Sequence, residues 1–285
     1  MQQPKNLVIG TAINYGPDQI RNFALSFREF NTHDDVVLLM DNTSIEICQE
    51  FLATCNIRPI LFETVMYFLK FTPWQIAVNC RLIGYYEFLY QNLNYKHVLI
   101  SDVKDVLFQR NPFEDLPDEF LYFFTEDTHV TIGQNPFNAE WILQDYGMDT
   151  LATLKDLPII CNGNIMGSNV SVQNYLKMLL DEMKLLADNR TQNTMFVDQA
   201  VTSYIAHTYS MDKLPRTIKV SGDIVGTIGI SLSEAEHDGP RDEIILNMGK
   251  IYVNGKIPDL IHQYDRSQFL KDYFNTRYSI NKKIN

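Results

Sequence analysis

Two carboxylates stand three residues apart in "HVLISDVKDVLFQRNPF", His97 to Phe113: Asp102 and Asp105, with Lys104 between them. Carboxylates this close repel each other unless a cation lies between them. Hard divalent ions such as Mg2+ or Mn2+ take oxygen ligands and often use only one or two protein carboxylates. Taken alone, a D-x-x-D pattern fits a solvated turn better than a metal site. Three more stretches invite chemistry. In "IICNGNIMGS" (Ile159–Ser168), Asn162, Gly163 and Asn164 follow an apolar run. Glycine admits a ligand close to the backbone, and asparagine amides suit sugar hydroxyls, although an ordinary turn explains the triplet as well. In "FVDQAVTSY", Asp198 and Gln199 are the polar start of an otherwise apolar helical stretch, where Asp198 can equally be a helix cap. In "DLIHQYDR", His262 follows an apolar pair, a setting in which a lone histidine is usually structural.

The short apolar runs and helical patterns around these residues show what must position them. Leu7–Ile13, Asp35–Asp41 and Arg58–Thr64 read as buried strands. Asp18–Phe30, with Asp18 as cap, and Ser44–Cys55, with Ser44 as cap, read as helices between them. Pro73–Asn92 is a long helix with proline in its first turn, and "HVLISD" is the next strand. This alternation implies a parallel sheet covered on both faces, with ligands beyond the carboxyl ends of the strands. Asp102 stands at such an end, as do Ala12 to Asn14 and Asp41. The second half is less regular. It holds strands over Leu121–Asp127 and Pro158–Ser168, helices over 170–188 and 196–209, and short strands after Thr217. Asn254-Gly255 signals a hairpin turn, and a last helix covers Ser267–Tyr278. We read one mixed α/β domain over residues 1–285.

Composition narrows the function. A net charge of −11 over 285 residues disfavours nucleic acid and anionic lipid as partners. No apolar run reaches the ~20 residues of a membrane span. The four cysteines form no C-x-x-C pair, as in a reduced cytoplasmic protein. A phosphate-binding G-x-x-x-x-G-K-S/T loop is missing, "IGTAINYG" is no dinucleotide fingerprint, and no G-x-S-x-G elbow occurs.

Together, the acids followed by "VLFQRNPF", then "NGNIMGS", "DQA" and "IHQYDR", resemble the motif order of nucleotide-sugar glycosyltransferases of the GT-A fold, the glycogenin-like enzymes among them. The resemblance runs from about residue 7 to 266, and it departs at the acid motif, D-x-x-D here in place of D-x-D. It implies a nucleotide-binding half over 1–105 and an acceptor and sugar half over 106–285. It also implies that Asp102, Asp105 and His262 hold Mn2+ or Mg2+. Thr11, Ala12, Asn14 and Tyr15 would form the base pocket, with Tyr15 stacking on the base. Arg81 would contact the acids or the donor, and its place beside the stripe Ala77, Cys80, Gly84 and Phe88 fits partial burial. Asn162, Gly163, Asn164, Asp198 and Gln199 would line the donor sugar and acceptor, with Asp198, Gln199 and Asn164 nearest the chemistry. The implied reaction moves a sugar from a nucleotide diphosphate sugar, uridine-linked, to a glycan, lipid-linked or protein acceptor, with retention. Two alternatives remain: a nucleotidyltransferase that makes a nucleotide sugar, which would want a basic loop that "TAINYGPDQ" lacks, and a non-catalytic binding protein, which the displaced second acid would suit.

Overall fold

The computed structural model describes residues 4–62, 73–189, 198–233 and 239–279, with side chains for all of these except 73–78 and 189. The side chain of Ala77, the end of the third expected strand at 63–64 and the first two residues of the helix expected from 196 lie outside that set.

The first four parallel strands form where expected: β1 (Leu7–Thr11), β2 (Asp35–Met40), β3 (Ile57–Leu61) and β4 (His97–Ser101). Three helices connect them: α1 (Pro17–Phe30), α2 (Asn42–Thr54) and α3 (Pro73–Gln91). Two expected caps are corrected. Asp41, not Ser44, caps α2, accepting the Ser44 N–H at 3.0 Å. Asp18 lies inside the first turn of α1, paired with Arg21, and Gly16 takes the cap position.

The sheet order is β3-β2-β1-β4-β7-β6-β8. Of the later strands, β6 (Leu121–Thr125) and β8 (Thr217–Lys219) are parallel to each other, and β7 (Ile160–Ser168) runs antiparallel between β4 and β6. Alternate residues of each strand face opposite ways. Leu7 and Ile9 join a core under α3, α5 (Asn169–Asn189) and α6 (Asp198–Thr208), while Val8 joins a core under α1 and α2. Helix α4 (Pro136–Leu154) was not anticipated. Gly147, at φ 83°, interrupts it and breaks its helical period.

A second sheet carries the other half of the site. Its strands are β5 (Val106–Phe108), β12 (Leu260–His262) and β9 (Val225–Thr227). A short helix, α7 (Gly229–Leu232), follows β9. β10 (Ile244–Asn247) and β11 (Lys250–Val253) form a separate hairpin, turning at Met248-Gly249. The Asn254-Gly255 turn also forms, but it closes on a single bridge between Val253 and Lys256. The chain then packs α8 (Gln268–Arg277), capped by Ser267, against this sheet.

Candidate active site

Strand register explains why residues 160 positions apart meet. β4 ends at Ser101, and the turn 102–105 leads directly into β5. β5 pairs antiparallel with β12, with Val106 opposite His262. The Asp105 carbonyl accepts the Gln263 N–H at 2.8 Å, locking the acid turn to the end of β12. Within the turn Val103 is buried and Lys104 exposed, so the acids stand on either side of an apolar peg and a solvated lysine. The three-residue spacing thus brings both carboxylates to one histidine. Nε2 of His262 lies 3.3 Å from Asp102 Oδ2 and 3.7 Å from Asp105 Oδ2. One ligand atom from each of the three residues fits within a 4.8 Å cluster.

A bulge in β7 completes the wall. Phe123 pairs with Ile165 but Phe124 pairs with Cys161, so residues 162–164 are extra on the β7 side. The strand therefore runs through the triplet that sequence would also allow as a turn. Bulges re-aim side chains and are common beside active sites. Here the bulge brings Gly163 against the triad, where a Cβ would lie 2.6 Å from Asp102 Oδ2 and 2.5 Å from His262 Cε1. Its carbonyl accepts the Asp102 N–H at 2.7 Å. Asn162 and Asn164 are anchored by their oxygens to the hydroxyls of Thr202, at 2.7 Å, and Ser101, at 3.0 Å. The Nδ2 atoms of both are buried without a hydrogen-bond partner among the described residues.

Arg81 ties the two sides together. Its guanidinium donates to Asp102 Oδ1 at 2.6 Å and to Asp198 Oδ2 at 3.1 Å. Asp102 therefore offers one oxygen to Arg81 and the other to His262. Burial raises the Asp102 pKa, but Arg81 first and His262 next pull it well below the usual carboxylate range. Among the described residues no arginine pairs with Asp105. Burial, with repulsion from Asp102 and Asp265, holds it above the ordinary value against the pull of His262. Burial likewise lifts Asp198, opposed by Arg81.

The expected base pocket is contiguous with these acids. Burial raises Tyr15 to about 12, with the charges of Asp102 and Asp105 adding and Arg81 opposing. Asn14 takes a left-handed φ of 59° and donates its N–H to Asp41. Thr11 bonds the Tyr85 hydroxyl at 2.7 Å, whereas Ala12 is fully buried and its N–H is spent on the Leu39 carbonyl. Residues that the sequence did not single out also join the site: Cys161, 3.2 Å from His262 Nδ1, and Glu126, one residue beyond β6. Glu126 had a readable signal, because it follows an apolar strand as Asp102 does. Cys161 had none.

No family model matches the chain, and no curated protein does. Solved structures match along its length. The galactosyltransferase LgtC, in complex with donor and acceptor sugar analogues, superposes with a TM-score of 0.58 at 13% identity, covering 98% of this chain and 97% of that one. The bifunctional glycosyltransferase WbbM gives a TM-score of 0.55 at 14% identity, over 97% of this chain and 50% of its own. The glycosyltransferase GlyE of Streptococcus pneumoniae TIGR4 gives 0.51 at 13% identity, over 98% of this chain and 61% of its own. The fold is GT-A. In this GT-A chain the acid turn, the bulge and the end of β12 meet at the carboxyl edge of the parallel strands.

Proposed function

We propose that the protein is a metal-dependent glycosyltransferase that moves a sugar from a nucleotide diphosphate sugar, uridine-linked, to a glycan, lipid-linked or protein acceptor. The observation that carries this reading is the convergence of Asp102, Asp105 and His262 at the strand edge. The donor set fits Mn2+ or Mg2+: two carboxylates and an imidazole whose buried Nε2 makes no hydrogen bond among the described residues. Gly163 adds to the fit, because it leaves open the space beside both ligands that a Cβ would fill. Asp102, Asp105 and His262 would hold a divalent ion there, which would supply stabilisation of negative charge on a departing diphosphate.

The chain's own residues do the rest. Arg81 keeps Asp102 ionised and fixes it relative to Asp198. Tyr15 would offer its ring to the base. Asn162 and Asn164 offer two buried amide donors for hydroxyls. An inverting enzyme needs a carboxylate base on the acceptor hydroxyl. Asp198 is committed to Arg81, and Gln199 beside it cannot take a proton, which favours retention. The four described cysteines are free and buried, which suits the cytoplasm. Within the described residues, no helix is long and apolar enough to cross a membrane.

The test is turnover of a panel of nucleotide sugars with and without Mn2+, alongside calorimetry with nucleoside diphosphates. Asp102→Ala and His262→Ala are expected to abolish turnover and metal-dependent diphosphate binding while circular dichroism stays unchanged. Unchanged turnover in both variants sinks the metal site. A preference for triphosphates favours nucleotidyl transfer instead.

A further inference from the structure

The amide orientation of Gln199 can be deduced from a single backbone donor. The N–H of Asn138 can only donate, and Asn135 Oδ1 accepts it at 3.0 Å. The same oxygen lies 3.1 Å from the Asn138 amide, so the Asn138 atom facing it is Nδ2. That turns Asn138 Oδ1 the other way, to within 3.0 Å of Gln199. Glu126 Oε1 approaches the same end of Gln199 at 3.1 Å. Two acceptors face that end, so it is the NH2. A flipped amide would set its oxygen against both of them.

Both acceptors are built in: Glu126 is 5% exposed and Asn138 6%. Gln199 itself is only half-buried, and among the described residues nothing donates to its Oε1. Topology places this group on the site's edge. β4 and β6 run the same way on either side of β7, so Asp102 and Glu126, each one residue past its strand, lie at the same end of the sheet. Asp198, adjacent to Gln199, is bound through Arg81 to Asp102.

We propose that Glu126 and Asn138 are positioning residues that lock the Gln199 amide with its carbonyl oxygen open to the cleft, where it accepts a hydrogen bond from a hydroxyl of the transferred sugar. The lock follows from the geometry alone, and its ligand rests on the transferase reading. An acceptor oxygen held in place suits a hydroxyl donor. A freely rotating amide would present an NH2 for half its orientations and misplace the sugar.

The experiment has two readouts. In uniformly 15N-labelled protein, the Gln199 side-chain NH2 signals, identified by their absence in Gln199→Glu, are expected to exchange slowly and to resonate away from free amides. In Glu126→Leu/Asn138→Leu they are expected to collapse to the free-amide position. The same double variant is expected to lose about 100-fold in kcat, with the donor KM nearly unmoved, as for a small misplacement at the reacting centre. Glu126→Gln, which keeps an oxygen at that place, is expected to recover most of the loss in an Asn138 wild-type background. Should the double variant fail to fold, Asn138→Leu alone carries the same comparison. Free-amide signals in the wild-type protein overturn the lock. Wild-type kcat with a freed amide overturns its role in positioning. A locked amide in a protein that turns over no nucleotide sugar upholds the lock and overturns the transferase reading, and with it the sugar as ligand.

Discussion

Gly163 has little freedom to change. Its backbone is part of the bulge, its carbonyl holds the Asp102 N–H, and a methyl group at its Cα would press into Asp102 and His262. Overpacking of this kind typically costs about 1–3 kcal/mol. Here the groups forced to move are the expected ligands. Gly163→Ala is therefore expected to weaken Mn2+ binding by about 10-fold or more, the scale seen when ligand supports are disturbed. Calorimetric titration of Mn2+ measures it, with thermal denaturation to show that the fold survives. Lys104 is exposed between the acids.

At the scale of elements, the small sheet decides whether His262 reaches the acids, and Asp259 is its weak point. The residue stands just before β12, where its N–H donates to the Ile224 carbonyl and its own carbonyl accepts the Gln109 and Arg110 N–H groups. Its carboxyl is the misfit. Burial pushes it up to about 6, with Arg110 opposing and Glu114 adding. A folded-state value above the ordinary carboxylate means that the unfolded chain ionises more easily. The stability this group supplies in acid is thus lost as pH rises through about 6. Asp259→Asn keeps the backbone bonds and removes the charge. It is expected to stabilise the protein by on the order of 1–2 kcal/mol near pH 8 and by almost nothing near pH 4. Thermal denaturation at the two pH values reads the difference, and equal shifts at both would rule the carboxyl out as the cause.

At the scale of the whole molecule, three of the four packed cores among the described residues back the strands that carry the acids and His262. The two faces of the large sheet supply two of them. The third joins Leu107 of β5, Ile261 of β12 and Phe274 of α8. Helix α8 therefore backs the strand that ends on His262. Phe274 is 1% exposed and stacks edge-on with Tyr264. Phe274→Ala is expected to cost about 3–5 kcal/mol. Because β12 loses its backing, Mn2+ affinity is expected to fall with stability. Denaturant unfolding and metal titration on one preparation test whether the two losses coincide.

Much of this was legible in the chain itself. The first four strands and three helices follow from apolar runs and their periods, because local burial sets the period of a sequence. The acids at the end of β4, His262, Asp198 and Gln199 were each ambiguous alone and became candidates through the motif order they share with GT-A enzymes. What the sequence could not fix was which of them touch. Register across β5 and β12 brought His262 to the acids, and the bulge in β7 pressed Gly163 against both. The Asn135–Asn138–Gln199 relay begins in a helix that Gly147 hides from periodicity. Residue types determined which chemistry was available, because side-chain donors and charges are local properties. Only the tertiary structure decided which of them meet, because strand pairing and amide orientation depend on partners far away in sequence.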